Sequence, residues 1–255
     1  MEDGVGSEYV TLARRMGLRG RRARRIDASI SRSHGDAMVD SAITIRPLEP
    51  EDIAATAGLL AQAMDDDPAY SFLFPRGQDR PAGLEDFFAR NLRTHLAHRC
   101  TYVGVVGPTV VATVTMRPPD GVSISMLTMI RRGLLPFAYA HGLRAVRRLF
   151  ILKGTYDAIE ARLARGKGHW LVHMMAVDPA RHGRGLGSRL LNFVLDATVD
   201  ARTTDGMPPA VLTTHKKRNV VFYERAGFEV DDVGDVSLMG EAPYSVWSMR
   251  RRPRP

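Results

Sequence analysis

The sequence predicts an α/β protein built on a mixed sheet. Three observations lead there. Short β-rich runs alternate with segments whose apolar residues recur at helical spacing. A late strand runs straight into a glycine-rich turn and then a helix. The 255 residues, 44% apolar and 25% charged, have the size and composition of an ordinary globular chain able to bury a core.

Residues 1–41 read as a basic, disordered tail, because "RRMGLRGRRARRIDASISRSHGDAMVD" is rich in Arg and Ser and poor in large apolar side chains. It lacks the contiguous apolar core of a secretory signal, and Glu2, Asp3, Glu8, Asp27 and Asp36 are too many acids for a good transit peptide. Met38 is an alternative start. The ordered domain is expected over 42–252, with 253–255 a short tail. It opens with an alternating strand, Ile43 to Leu48, and a helix started by Pro50, Glu51 and Asp52. That helix carries Ile53, Ala57, Leu60 and Met64 on one face, and a second helix covers Gly83 to His98. "CTYVGVV" and "TVVATVTMRPP" form a hairpin around Gly107-Pro108. Residues 122–167 form a helical insertion of two or three helices, with Leu143, Val146 and Phe150 spaced for its apolar face and Arg144, Arg147 and Arg148 pointing elsewhere. "HWLVHMMAVDP" is an apolar strand, followed by a helix from about Leu186 to Arg202, the buried strand "AVLTT", the short helix "RNVVFYERAG", and closing strands near Phe228–Val233 and Tyr244–Arg250.

Composition removes several function classes. One cysteine, Cys100, permits neither a disulfide framework nor a Cys-rich metal site, and no metal-ligand cluster stands out. No apolar run is long enough to span a membrane. The net charge of +8 comes mostly from arginine, with only four lysines, and the arginines are scattered or sit at the ends, which disfavours a nucleic-acid surface. A cytoplasmic, bacterial protein is expected.

The chemistry concentrates in "VDPARHGRGLGSRLL", Val177 to Leu191. A dinucleotide fingerprint fails, since counting from Gly183 and Gly185 the third glycine position holds Ser188, and no P-loop lysine is present. What remains is strand, Asp-Pro, tight glycine turn, helix. Glycines at 183, 185 and 187 let successive backbone N–H groups converge, and the helix start adds unpaired donors and partial positive charge. Such a site suits a pyrophosphate, with Arg184 and Arg189 at its rim. The plainer alternative is a glycine-rich turn that holds nothing.

This stretch resembles the acetyl-CoA loop of the GCN5-related N-acetyltransferase (GNAT) family, whose pattern is V-x-P, two residues, [R/Q]-G-x-G-x-[G/A]. Only His182 departs, standing where Arg or Gln is usual. A second stretch, "RNVVFYERAGF", is similar to the one following that family's fifth strand, and Asn219 and Tyr223 within it are i and i+4 on one helix face. The resemblance implies the GNAT fold, a mixed and mostly antiparallel sheet flanked by helices, and acetyl-CoA as acyl donor. It implies that backbone groups at Met175, Ala176 and Val177 polarise the thioester carbonyl. His182, Gly183, Arg184, Gly185, Leu186, Gly187 and Ser188 would hold the pyrophosphate, Asn219 the pantetheine arm, and Tyr223 would protonate the leaving thiolate. "H-M-M-A-V" resembles the H-A-L-A-V stretch of the serotonin N-acetyltransferases, which makes His173 the candidate base. The alternative is a strand histidine packed beside Trp170 and Met175.

The enlarged 122–167 region and the ending "PYSVWSMRRRP" resemble the puromycin N-acetyltransferases and related small-molecule acetyltransferases. That implies a primary-amine acceptor, antibiotic- or metabolite-like, and a resistance role. Phe72, Phe74, Met126, Phe137, Tyr139 and Trp247 would line an acceptor site for a hydrophobic amine, or else belong to the core. Asp65, Asp66 and Asp67 would serve a polycation, or else form a solvated helix end. Competing expectations are acetylation of a protein lysine or N-terminus, and a non-catalytic acyl-CoA-binding module. Homodimers are common in the family.

Overall fold

The computed structural model describes residues 43–253, apart from Arg76, Gln78, 120–128, Lys167 and 201–207. The expected tail, with Met38, and the candidate acceptor residue Met126 lie outside the described residues. Strand β1 (Thr44–Pro47) leads through a 3-10 turn into α1 (Ile53–Ala63), α2 (Pro68–Leu73) and α3 (Arg80–Leu96). The hairpin β2 (Thr101–Val106) and β3 (Thr109–Arg117) follows, then a π-helical stretch, Met129–Leu134, and the long α4 (Leu135–Ala164). The rest is β4 (Trp170–Val177), α5 (Leu186–Ala197), β5 (Ala210–Thr214), α6 (Lys217–Arg225), β6 (Glu229–Val236) and β7 (Tyr244–Arg251).

The seven strands form one sheet in the order β1-β2-β3-β4-β5-β7-β6. Every pairing is antiparallel except β4 with β5. This is the mixed, mostly antiparallel sheet expected of the GNAT fold. On one face, Leu60, Leu84, Phe88 and Leu92 from α1 and α3 pack with Val103, Met174 and Ala176. On the other, Leu190, Leu191, Val194 and Leu195, the apolar stripe of α5, pack with Val114, Met116, Leu212 and Met249.

Two elements differ from the sequence reading. The short helix α2 begins with Asp67, whose side chain accepts from the Ala69 amide, and with Pro68 at its first position. Six residues are too few for a periodic apolar signal, and the N-cap followed by proline was the only cue. In the insertion, Leu143 is 80% exposed and Phe150 52% exposed, so they are not the buried face. Gly142 takes φ 77 and ψ 170, which breaks α4 and resets its phase. The inward stripe is Ala145, Leu152, Ile159 and Leu163, and Arg148 turns inward over the Phe72 ring, 5.9 Å from its centroid.

Candidate active site

The site begins with a failure of pairing. Parallel β4 and β5 pair only at Trp170 with Ala210 and Leu171 with Val211, and the Trp170 amide donates to Pro209 O at 2.8 Å. Beyond that the strands part. On its other edge β4 stays paired with β3 as far as Ala112 with Val177, and the Asp178 amide donates to Val111 O at 2.8 Å. Strand alternation therefore turns the backbone amides of Met175 and Val177 toward the open gap, while Ala176, opposite Thr113, bonds back into the ladder. Of the three residues expected to present amides, two face the gap.

The glycine loop starts at the mouth of this gap, and its three glycines do two different jobs. Gly183 (φ 80) and Gly185 (φ 75) adopt left-handed backbone and have open space where a Cβ would project. Gly187 is helical, but a Cβ there would lie 3.0 Å from Val177 Cγ2 and 3.4 Å from Met175 Cε and Phe222 Cε2. It lets α5 pack closely on β4, so that the unpaired amides of the helix start beside the gap. His182, where the family pattern departs, stitches the loop to the strand with its Nε2 3.1 Å from Val177 O. Arg184 is exposed and Ser188 half-buried, both on the same loop-to-helix turn.

Helix α6 closes the same face. Tyr223 packs against Phe222 and Phe228 at centroid distances of 5.0 and 5.8 Å, and its hydroxyl lies 4.0 Å from Met175 Sδ. Burial pushes its phenol up to about 12. Asn219 Nδ2 donates to Thr214 Oγ1 at 3.1 Å, which fixes the first turn of α6 to the end of β5 and leaves the amide oxygen for another partner.

His173 sits at a bulge in β4: Met174 pairs with Thr115 and Val172 with Met116, leaving His173 as the extra residue. Its ring stacks at 5.4 Å from His95. Burial first, then the nearby His95, Arg117 and Lys153, hold it down to about 3. An imidazole with so little proton affinity is a poor acceptor for the proton of an alkylammonium.

The opposite face of the gap is formed by the α1–α2 corner, α4 and β7. Asp65 pairs with buried Arg80 (Nε to Oδ1, 2.9 Å), Asp66 with Lys216, and Asp67 with His215 (Oδ2 to Nδ1, 2.7 Å). Asp65 and Asp66 remain exposed at the helix end, as the solvated alternative has it, whereas Asp67 is buried and paired. His215 Nε2 lies 2.6 Å from the Tyr156 hydroxyl, which is 3.0 Å from that of Tyr244. None of His215, Tyr156, Tyr244 or Arg80 was singled out from the sequence. The available signal was a histidine immediately after a strand that ends at the crevice. Of the aromatics expected to line an acceptor site, Phe72, Phe74 and Phe137 are core, and Tyr139 is 96% exposed. Trp247 is half-buried against the α5 face.

Residues 148–230, from mid-α4 to the start of β6, match the family model described as an acetyltransferase (GNAT) domain. Among solved structures, an acetyltransferase of Corynebacterium glutamicum described as histone acetyltransferase HPA2 and related acetyltransferase superposes with TM-score 0.55. It shares 17% identity, over 84% of this chain and 98% of that one. The Drosophila melanogaster polyamine N-acetyltransferase, which forms N-acetylagmatine, gives 0.55 at 18% identity over 83% and 100%. A mosquito arylalkylamine N-acetyltransferase-like protein gives 0.53 at 14% over 82% and 99%. At these identities the structures establish a shared fold, and the domain match within that fold covers the loop, Asn219 and Tyr223. Residues 148–230 thus match an acetyltransferase (GNAT) domain, and the chain as a whole shares the fold of the acetyltransferases it superposes on.

Proposed function

We propose that the protein transfers the acetyl group of acetyl-CoA to the primary amine of a small molecule, by direct attack of the amine on the thioester carbonyl. One observation carries this: the β4–β5 gap has the Met175 and Val177 amides on one wall and the Tyr223 hydroxyl 4.0 Å from Met175 Sδ beside them. The donor set fits the donor molecule. The pyrophosphate would lie over the amides from Gly183 to Ser188, with Arg184 at its rim, and Asn219 Oδ1 would meet the pantetheine arm. Met175 and Val177 are about 6.6 Å apart along the strand, so the thioester carbonyl would accept from one of these two amides and the pantetheine arm from the other. Stabilising the negative charge that develops on the carbonyl oxygen is worth most in a water-poor site. Acetyl-CoA supplies an activated acyl carbon and a thiolate leaving group. Tyr223, kept protonated by burial, is a loaded hydrogen-bond donor for that sulfur. His173 enters as a neutral imidazole, and the proton of the amine goes elsewhere.

Asp67, the buried acid of the three, is already held by His215 and the Ala69 amide, which favours an acceptor carrying one positive charge over a polycation. In this respect the acceptor of the fly polyamine enzyme is a poor guide. An antibiotic- or metabolite-like amine meets the requirement.

Thiol release from acetyl-CoA, followed colorimetrically, tests the assignment with tryptamine, puromycin, agmatine, spermidine and a lysine peptide. Turnover of a monoamine ahead of spermidine is expected, falling about 100-fold in Tyr223→Phe. Turnover of the peptide alone would make the protein a protein acetyltransferase, and tight acetyl-CoA binding without thiol release from any amine would make it a binding module.

A further inference from the structure

The face of the gap opposite Tyr223 carries a second proton-handling group, and this inference rests on the acetyl-transfer reading above. Leu171 and Val211 are the last paired residues of β4 and β5, so Met175 and His215 emerge roughly level on the two walls of the gap. Met175 packs toward the α5–α6 face, and Thr214, bonded to Asn219, faces the same way. Alternation sends His215 to the other face, among Asp67, Tyr156 and Tyr244. The gap therefore has a thiolate-side hydroxyl on one face and a hydrogen-bonded chain on the other.

The direction of that chain can be read from its donors and acceptors. Asp67 Oδ1 accepts from the Ala69 amide, and Oδ2, 2.7 Å from His215 Nδ1, accepts from the Nδ1–H, which fixes the proton on that nitrogen. That leaves Nε2 as an acceptor, filled by the Tyr156 hydroxyl at 2.6 Å. Tyr156 Oη in turn accepts from the Tyr244 hydroxyl at 3.0 Å. The imidazole is wedged edge-on between the two phenol rings, at centroid distances of 5.6 and 5.3 Å. The side chains of His215 and Asp67 are only 10% and 9% exposed, so a proton reaches Nε2 by way of the tyrosines. Burial pushes both phenols up, with the result that each passes protons as a neutral hydroxyl. Tyr70 from the α1–α2 corner acts on the Tyr156 phenol, and Lys216, next in sequence to His215, is paired with Asp66, on which Arg218 also acts.

We propose that Tyr244, Tyr156 and His215 form the relay that removes the proton from the acceptor amine, with Asp67 fixing the tautomer that receives it. The ammonium N–H donates to Tyr244 Oη. As that bond breaks, Tyr244 passes its hydroxyl proton to Tyr156 Oη, and Tyr156 passes its own to His215 Nε2. One proton moves from amine nitrogen to imidazole, both phenols end neutral, and the imidazolium faces the Asp67 carboxylate. The freed lone pair attacks the thioester carbonyl, the departing sulfur takes its proton from Tyr223 on the far face, and the second proton of the acylated nitrogen returns to the Tyr223 oxygen. That leaves amide, thiol, a neutral Tyr223 and one proton on His215 to be released through the tyrosines. Tyr244 touches the substrate, while His215 and Asp67 act through the tyrosines.

Two measurements on the full chain test the relay. In 15N-histidine-labelled protein, with the signal assigned through His215→Gln, NMR should find His215 protonated at Nδ1 and bare at Nε2, and the Nε2 shift should change in Tyr156→Phe. A His215 protonated at Nε2 overturns the relay, whatever the enzyme turns over. The second measurement is kcat/KM against pH with the best amine of tryptamine, puromycin and agmatine. His215→Gln and Tyr156→Phe should each fall about 100-fold at pH 7 and recover toward wild type as rising pH supplies free amine, with the acetyl-CoA dissociation constant held within about twofold. A loss uniform across pH, or one that follows weaker acetyl-CoA binding, assigns the chain a structural role. Wild-type turnover with His215→Gln unaffected overturns the relay alone, whereas silence of the wild type with every amine overturns acetyl transfer and the relay with it.

Discussion

Burial moves the two candidate proton-handling side chains of β4 and α6 in opposite senses, because it penalises whichever form is charged. Tyr223 is pushed up to about 12 and stays protonated through any working pH. It should impose no descending limb on the activity profile until strongly alkaline conditions, and Tyr223→Phe should lower kcat about 100-fold with acetyl-CoA affinity unchanged. His173 is held down to about 3, below the unfolded value of 6.5. A depressed histidine contributes stability that is present above pH 6.5 and lost as pH falls toward 3, since the unfolded chain takes up the proton first. Between pH 7 and pH 4 that loss is about 3 kcal/mol. Urea midpoints of wild type and His173→Gln at the two pH values should therefore converge on acidification, and parallel curves would show that His173 does not titrate this way. The sequence pointed to Tyr223 through the resemblance of "RNVVFYERAGF" to the family stretch, with its i, i+4 spacing from Asn219 in support. The state of His173 was not legible, because it depends on His95, far away in sequence, and on a bulge that only the β3 register reveals.

At the scale of elements, strands and long helices were legible because their periodicity is long enough to register, and the order β, helices, hairpin, insertion, β-α-β-α-β-β emerged from it. Where one residue resets the phase, the reading failed: Gly142 in α4 moved the buried stripe off Leu143 and Phe150. The glycine loop is a subtler case, because the sequence treats its glycines alike and the packing does not. Gly187→Ala should drive a methyl group against Val177 and lift the first turn of α5 from β4. The overpacking cost of roughly 1–3 kcal/mol is partly offset by the better helix propensity of alanine, about 1 kcal/mol. Thermal stability should fall modestly, while acetyl-CoA affinity, read by calorimetry, drops about tenfold through the displaced amides. Gly183→Ala meets no neighbour but forces alanine into a left-handed conformation, at roughly 1 kcal/mol. Equal, unchanged affinities in the two variants would mean that the start of α5 does not carry the pyrophosphate.

Over the whole molecule, the site depends on β4 and β5 being joined at one end and apart at the other, so whatever anchors the β5-β7-β6 half of the sheet holds the gap open. Arg251 is central to that anchoring, although an arginine in "RRRPRP" reads as a solvated basic end. It is 2% exposed, the largest fully buried side chain among the described residues. Its Nη1 and Nη2 grip the Asp200 carboxylate at 3.0 and 2.5 Å, and its Nε donates to Ala226 O at 3.0 Å. The last residue of β7 is thereby tied to the end of α5 and to the turn after α6, the two helices that frame the donor side. Arg251→Met leaves the Asp200 carboxylate buried without its main cation, at about 3–5 kcal/mol. For a chain of this size that lowers Tm by about 10 °C. Pairing it with Asp200→Leu removes both charges and should regain much of the loss, because apolar replacement of a buried ion pair is often neutral. Calorimetric scans of wild type, the single and the double variant, each with and without saturating acetyl-CoA, separate anchoring from binding. A single variant that melts like wild type would refute the anchoring role. One that melts early yet gains the usual stabilisation from acetyl-CoA would place Arg251 in the frame of the gap and outside the site itself.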